Sequence, residues 1–361
     1  MGSILDTNTS PDGIRYATRE DIMRALDVQT TARNRRQIDD AIEAASRGVE
    51  GLCHRRFAPI LGTRYFDWPG RPSAGYTPWV LRLDDSELIS ATSITSGGIN
   101  IPLDDVNLEP NRSGPPYSRV EIKLSTDAAY GGGSTYQRDI AITGLWGYRG
   151  TETTLGATAA AVGDTTGTTL TVDGATSAAV GVGSILRVDD ERMLVTERAQ
   201  ANTGQTGNLT ASKGDTALTI ADGTDFAVDE MLLLDAERVR VDDIAGNTLV
   251  VERAYDGTVL AAHTSTVIYA PRALTVTRGA LGTTATTHTS SATVYVWQPP
   301  GLVKQLVKAE AIWTLLQERA GWFRLASSSG KSAPEVSRIS IDALRDQTYT
   351  EYGRKARTRG V

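Results

Sequence analysis

A change of composition inside the chain constrains its fold more than any single motif. Between residues 151 and 296, 29 positions are threonine, glycine is frequent, and none of the six tryptophans of the chain occurs. β-Branched residues favour strands, and glycine favours the tight turns that connect short strands. Residues 151–296 are therefore predicted to form a separate all-β domain inserted into a chain of different character.

The sequence on either side of this insert has helical periodicity. Thr18, followed by acidic residues, is typical of a helix N-cap. In residues 33–54 and 302–319, apolar residues alternate at intervals of four and three, which predicts two amphipathic helices. The side chains predicted to pack these helices together are Ile38, Ile42, Val49, Leu52, Leu302, Leu306, Trp313 and Leu316.

These patterns together predict the fold class. Two matching apolar stripes can cover each other, so residues 1–150 and 297–361 are predicted to form one discontinuous helical domain. Strand-like segments between residues 63 and 145 add a small β-sheet to it. We therefore expect an α+β protein whose helical domain is interrupted by the all-β insert, 151–296.

The insert contains an internal repeat. Residues 170–174 recur as 218–223, and residues 190–195 recur as 236–241. A second pair of segments is related by a constant shift of 25 positions, which matches Arg253 and His263 with Arg278 and His288. These shifts do not fit simple tandem copies. The copy from about 218 to 269 is predicted to be complete and to lie inside the other, which closes near 274–295.

Charge also separates the two parts of the chain. The net charge is −6, of which the insert carries −9 and the remainder +3. Neither balance predicts a duplex-binding surface, since phosphate neutralisation needs lysine and arginine clustered on one face. The last eight residues contain four basic residues, which fits either an interaction tail or a solvated chain end.

Residue types that carry catalysis or bind metals are sparse. Cys53 is the single cysteine, and no nucleophile has a recognisable base. Asp189–Glu191 and Asp242–Asp243 lack the spacing of a calcium loop. His263 and His288 could form paired ligand sites but more often act as hydrogen-bonding turn residues. The chain is therefore predicted not to be an enzyme and to use no cofactor or metal.

Neither a secretory signal nor a membrane span is expected. The first residues combine neither a basic start nor an apolar stretch, and no apolar run approaches the roughly 18 residues of a spanning helix. The cytoplasm is the expected place of synthesis and folding.

Four short segments outside the insert follow each other in an informative order: Tyr16–Ile22, Val49–Phe57, Asp139–Tyr148 and Ser340–Asp346. Pro300 stands where the second amphipathic helix begins. With the insert set aside, this pattern resembles the head-to-tail adaptor, or connector, proteins of long-tailed bacteriophages. The resemblance covers about residues 14–150 and 298–361.

The resemblance implies a structural virion protein that forms a ring, a dodecamer, beneath the portal protein. A stopper or tail-terminator protein would lie below it, and DNA would pass through the lumen without sequence-specific binding. It also implies assembly in the host cytoplasm, a final location in the virion neck, and no membrane contact. The candidates for portal docking are Tyr352, Arg354, Lys355, Arg357 and Arg359. The role of the insert, which most relatives lack, is not implied.

Two alternatives remain open at the level of sequence. A secreted or surface β-rich adhesin or glycan-binding protein would share the composition of the insert and would need exposed aromatic platforms. The aromatic residues available in the insert are Phe226, Tyr255, Tyr269 and Tyr295. Within the virion neck, a stopper or tail-completion protein would differ only in its neighbours.

Overall fold

The computed structural model describes residues 13–26, 32–69, 77–326 and 336–354 of the 361 residues. Their contacts divide the chain into two compact units. Unit 1 takes its described residues from Met1–Val49, Glu152–Trp297 and Leu302–Arg345, and unit 2 from Glu50–Thr151, Gln298–Gly301 and Asp346–Val361. The domain boundaries predicted at residues 151 and 296 stay a prediction.

The described residues form five α-helices: α1 (Arg19–Leu26), α2 (Ala32–Cys53), α3 (Gly174–Ala179), α4 (Gly301–Ala326) and α5 (Val336–Tyr352). Thr18 and Asp21 cap the start of α1 reciprocally. The backbone N–H of Asp21 donates to Thr18 Oγ1, and the backbone N–H of Thr18 donates to Asp21 Oδ2, both at 3.1 Å. This is a capping box with aspartate in place of glutamate. None of these helices combines the length and the apolar character that crossing a bilayer requires.

The largest sheet lies in unit 1 and has ten strands, with the order β12-β15-β14-β13-β16-β11-β10-β17-β8 and β9 paired with β16. Its strands are β8 (Glu152–Ala157), β9 (Thr169–Thr171), β10 (Ile185–Val188), β11 (Glu191–Leu209), β12 (Ala217–Thr219), β13 (Met231–Leu234), β14 (Glu237–Ala245), β15 (Thr248–Glu252), β16 (His263–Thr277) and β17 (Thr293–Trp297). All pairings in it are antiparallel. β11 and β16 pair along most of their length and connect its two halves.

Unit 2 contains two smaller sheets. The four-stranded sheet has the order β1-β7-β3-β4 and the three-stranded sheet has the order β2-β6-β5. Their strands are β1 (Ile60–Phe66), β2 (Val80–Arg82), β3 (Leu88–Ser96), β4 (Ile99–Ile101), β5 (Val106–Glu109), β6 (Arg119–Ile122) and β7 (Ile140–Trp146). β7 alternates buried and half-buried side chains, and its buried residues, with Trp146 the largest, belong to a core shared by both sheets.

The expected fold class is wrong. Strands account for 37% of the described residues and helices for 25%, so the structure is predominantly β instead of a helical domain with a small sheet. Helices are present where both amphipathic helices were predicted, as α2 and α4, but they form only part of the chain. The strands of the insert join into one continuous ten-stranded sheet, and residues 50–151 add seven further strands.

Two separate apolar cores lie along the large sheet. The inner core draws its residues from 209–270, and the outer core draws its residues from 162–195 and 274–296. One core is thus built by two chain segments that flank the segment building the other. We call these two parts of unit 1 the inner lobe and the outer lobe.

Candidate functional site

Each lobe contains a buried ionic cluster built around one glutamate. In the inner lobe, Oε1 of Glu237 accepts hydrogen bonds from Nε of Arg253 at 2.8 Å and from the backbone N–H of Ala254 at 2.9 Å. Its Oε2 accepts from Nη2 of Arg253 at 2.9 Å, from the backbone N–H of Ala261 at 3.0 Å and from Nε2 of His263 at 2.9 Å. The side chains of Glu237 and Arg253 are fully buried.

Arg253 also holds neighbouring turns through backbone carbonyls. Its Nη1 donates to the carbonyls of Thr210 and Asp215, both at 3.0 Å, and its Nη2 donates to the carbonyl of Ala261 at 2.7 Å. The arginine therefore ties three points of the chain to one buried carboxylate. Because an arginine fork presents several fixed donors, it suits such a junction better than lysine does.

The outer lobe repeats this arrangement with residues from distant parts of the chain. Glu191 binds Arg278 through Nε at 2.7 Å and Nη2 at 2.8 Å. The same carboxylate accepts from the backbone N–H groups of Gly279 and Thr286 and from Nε2 of His288. A shift of 46 positions matches Glu191 with Glu237, and a shift of 25 positions matches Arg278, Gly279, Thr286 and His288 with Arg253, Ala254, Ala261 and His263.

Each histidine lies between two carboxylates. His263 faces Asp235 Oδ2 through Nδ1 at 3.0 Å, and His288 faces Asp189 Oδ2 through Nδ1 at 2.7 Å, while the opposite ring nitrogen faces the buried glutamate. A neutral imidazole has one N–H, whereas imidazolium donates from both nitrogens. A protonated histidine would give each cluster two carboxylates and two cations, the imidazolium and the arginine.

The electrostatics of the clusters suit structure better than chemistry. Burial acts to raise the pKa of Glu237, but the Arg253 guanidinium, the backbone N–H groups and His263 lower this pKa to about 2. The same opposed causes lower the pKa of Glu191 to about 2. A carboxylate this acidic, with both oxygens already accepting hydrogen bonds, is a poor general base near neutral pH.

Several of the acidic residues considered as metal ligands pair with other side chains. Among the residues that the structure describes, no group of three or more histidine, cysteine or acidic side chains is arranged to hold a metal ion. Asp242 instead pairs with Arg240 at 2.9 Å. Cys53 is buried, and burial raises the pKa of its thiol to about 11.

A second cluster, in unit 2, surrounds the end of α5. Tyr352 packs edge-on against Phe57 and Tyr148, with ring centroids 6.1 and 5.6 Å apart, and the rings of Phe57 and Tyr148 are 5.6 Å apart. The backbone N–H of Arg354 donates to the carbonyl of Cys53 at 3.0 Å, at the end of α2. The predicted docking residues Tyr352 and Arg354 therefore make contacts with other residues of the same chain. Lys355, Arg357 and Arg359 lie outside the described residues.

Arginines are concentrated at the same place. Arg354 donates to Oδ1 and to the backbone carbonyl of Asp85, both at 3.0 Å. Arg354 and Arg55 also share Glu87, at 3.5 and 3.4 Å. The guanidinium of Arg55 lies 4.5 Å from the centre of the Tyr148 ring, a cation–π arrangement. Sequence inspection missed this concentration because its members lie up to roughly 300 positions apart.

The residues predicted to pack α2 on α4 differ in exposure. Ile38, Ile42, Val49 and Leu306 are buried, and Leu52, Leu302 and Trp313 are half-buried. Leu316, at 48% exposure, points to solvent in the single chain. The buried face of α4 is turned by about one residue from the predicted stripe and consists of Val303, Leu306, Val307, Ala311 and Leu315.

Unit 1 has a cleft of about 230 Å³ lined by α2, α4 and α5. Trp313 and Ala45 form part of its apolar wall. Its polar side is occupied by an ion pair in which Nε of Arg345 donates to Glu310 Oε1 at 2.7 Å. Since this pair already satisfies both charges, the cleft offers few free polar groups to a ligand.

The aromatic residues of the insert do not form a shared platform. Phe226 is buried, with Arg272 over its ring, and Tyr295 and Tyr255 are covered by Arg187 and Arg240 at 4.1 and 5.1 Å. Tyr269 is the most exposed of the four. No observation of this kind favours glycan binding.

Comparisons of the chain with protein-family models, with curated proteins and with solved structures find no match.

Proposed function

We propose that the chain is a structural protein of the virion neck, a head-to-tail adaptor that forms a ring and docks on the portal protein through its basic C-terminal segment. The support for this proposal is the sequence resemblance together with one feature of unit 2. Segments that are far apart in the sequence, and that carry the resemblance, meet where the C-terminal segment begins.

The meeting point consists of three elements. The end of the Val49–Phe57 segment contacts the end of the Asp139–Tyr148 segment, because the backbone N–H of Tyr148 donates to the carbonyl of Arg56 at 3.0 Å. The rings of Phe57 and Tyr148 then receive Tyr352 from α5. A shared structural role for these segments accounts for why they occur together in one chain.

Two of the predicted docking residues serve as anchors. Arg354 is bound to Cys53 and Asp85, and Tyr352 is packed between aromatic rings. Both fix the point from which the last seven residues continue. We therefore assign docking to Lys355, Arg357 and Arg359, whose charges suit an acidic surface on the partner.

Removal of residues 355–361 tests this assignment. The truncated chain should lose co-purification with the portal ring encoded in the same genome, while its melting temperature stays within about a degree of the full chain. Truncation at Tyr352 is less informative, because it also removes the aromatic contact and the ion pairs of Arg354.

Charge-matched variants separate a basic tail from a specific sequence. Changing Lys355, Arg357 and Arg359 to glutamine should abolish docking. Changing Arg357 and Arg359 to lysine should retain it, since the charge is kept. Undiminished docking by the truncated chain would overturn the proposal.

A further inference from the structure

Unit 2 carries an excess of arginine around the end of α5. We call Arg55, Arg56, Arg64 and Arg354 the arginine cluster. Two carboxylates face it: Glu87, which Arg55 and Arg354 share, and Asp85, which binds Arg354. Among the described residues, two carboxylates do not neutralise four guanidinium groups, so the cluster retains positive charge.

Two members of the cluster have no carboxylate of their own. Among the described residues, no carboxylate lies within ion-pair distance of Arg56 or Arg64, and Nη1 of Arg56 is buried without a hydrogen-bond partner. The guanidinium of Arg64 lies over the ring of Trp146, 4.6 Å from its centre. Stacking leaves the edge of this guanidinium, which carries its N–H donors, available to an acceptor.

The cluster is retained at a cost to the folded state. Burial, followed by the charges of Arg56 and Arg354, lowers the pKa of Arg64 to about 10, and Glu87 offsets only part of this effect. A group that the fold holds charged among like charges is a common feature of a site awaiting an opposite charge. The position of Arg64 over Trp146 supports this independently, because it fixes the guanidinium in place.

We propose that the arginine cluster binds phosphate groups of the DNA backbone. Guanidinium forks match the geometry of phosphate oxygens and form charge-assisted bonds to them. Three further cations, Lys355, Arg357 and Arg359, follow Arg354 in the sequence. A cluster of several cations suits a polyanion such as DNA, whose charges repeat at about 1.7 Å along a duplex axis.

The choice of DNA as the polyanion rests on the proposed function, in which DNA passes through the ring. Contacts to phosphate alone carry no sequence preference. The inference therefore differs from passage without contact, and it places the contact at named residues of unit 2.

The experiment compares two double variants of equal charge. Binding to a fluorescein-labelled duplex of mixed sequence is measured by anisotropy between 25 and 200 mM salt. Arg56→Gln with Arg64→Gln should weaken binding at least tenfold at the lowest salt and reduce the slope of log affinity against log salt by about 2. The control, Arg187→Gln with Arg240→Gln, removes arginines that already face carboxylates and should bind like the unaltered chain.

Three further measurements make the outcome unambiguous. Arg56→Lys with Arg64→Lys keeps the charge and should restore most of the binding. The melting temperature of the glutamine variant should equal or exceed that of the unaltered chain, because like charges are removed. A polyglutamate peptide should compete with the duplex only weakly.

Equal DNA binding by the glutamine variant and the unaltered chain, equal weakening by both double variants, or stronger binding of polyglutamate than of DNA would each overturn the inference. Portal docking is measured separately on the same variants. A glutamine variant that docks but does not bind DNA supports both proposals. Loss of docking by truncation bears only on the tail.

Discussion

The buried glutamates illustrate what single residues contribute to a small β lobe. Glu237 fixes two backbone N–H groups, one arginine and one histidine in the inner lobe, and Glu191 does the same in the outer lobe. Burying a charge is unfavourable unless it is paired and hydrogen-bonded. Both oxygens of each carboxylate meet this condition, so these residues tie turns together without leaving an uncompensated charge.

Glu237→Gln should destabilise the protein strongly. The substitution leaves Arg253 buried without its counter-charge and places an amide donor near backbone N–H donors. Breaking a buried pair in this way costs about 3–5 kcal/mol. Urea denaturation followed by far-UV circular dichroism measures the free energy of unfolding. Asp242→Asn, which breaks an exposed pair, serves as control and should cost no more than about 1 kcal/mol.

The loss of stability caused by Glu237→Gln should depend on pH. The pKa of Glu237 is lowered to about 2 from a usual value of 4.5, so its stabilising contribution is complete above pH 4.5 and is lost as pH falls towards 2. The difference in unfolding free energy between the unaltered chain and Glu237→Gln should therefore shrink, at pH 3, to less than about half of its value at pH 7. A difference independent of pH would show that packing, not charge, holds the cluster.

At the scale of elements, the two lobes differ where the outer lobe meets α1. The backbone N–H of Arg19 donates to the carbonyl of Val182 at 3.1 Å, and the backbone N–H of Val182 donates to Glu20 at 2.7 Å. The turn that carries Val182 has glycine on both sides, at 181 and 183. A Cβ at Gly181 would lie 2.6 Å from Cβ of Thr18, so only glycine allows this approach.

The inner lobe has the same turn without the glycines. Asp229 donates its N–H to Val241 at 2.8 Å, as Gly183 donates to Val195 at 2.8 Å, which establishes that the two turns correspond. Val228 of the inner turn is 49% exposed, whereas Val182 of the outer turn is 1% exposed. The duplicated turn has therefore specialised in one lobe to receive a helix.

Gly181→Ala tests this specialisation. The added methyl group would collide with Thr18 and Glu20, and overpacking of this kind costs about 1–3 kcal/mol. The matched control is Ala227→Gly in the inner lobe, which should cost about 0.5–1 kcal/mol through backbone entropy alone. Urea denaturation measures the loss of unfolding free energy for both variants. A larger effect for the control than for Gly181→Ala would contradict the role of the outer turn.

Sequence patterns located several elements well. The helix predicted from 33 to 54 corresponds to α2 (Ala32–Cys53), and the strand-like segments expected between residues 63 and 145 correspond to β1 to β7 of unit 2. β11 was less visible, because four shifts in its register with β16 interrupt the two-residue alternation on which strand prediction depends. Bulges of this kind move side chains to the other face without any local signal in the sequence.

At the scale of the whole molecule, the sequence contains a repeat, but it did not predict the predominance of β structure. A shift of 46 positions matches Glu191 with Glu237, and a shift of 25 positions matches Arg253 with Arg278. The joining of many short strands into one sheet depends on pairings between distant segments, and composition does not specify these. The arginine cluster has the same origin, since Arg64 and Arg354 come together only in the folded chain.

The arrangement of the two cores predicts that the outer lobe can fold without the inner lobe. The inner core comes from one continuous stretch, residues 209–270, and the strands that lead into and out of it pair at Ala201 and Ala270. Replacing residues 202–269 with Asn-Gly should therefore close β11 and β16 into a hairpin and leave the outer core intact. Arg272 is changed to serine, because its partner Glu230 leaves with the inner lobe.

Near-UV circular dichroism is the appropriate measurement for this excision. All six tryptophans lie outside the insert, and Trp297 packs against Tyr16 with ring centroids 5.8 Å apart, so the aromatic signal reports on what remains. The excised chain should keep this signal and unfold cooperatively in urea. Removal of residues 170–195, which takes away most of one outer-core segment, is the control and should remove the contribution of Trp297 to this signal. Loss of the tryptophan signal on removal of the inner lobe would show that the two cores fold as one, because a lobe that merely interrupts another should be dispensable to it.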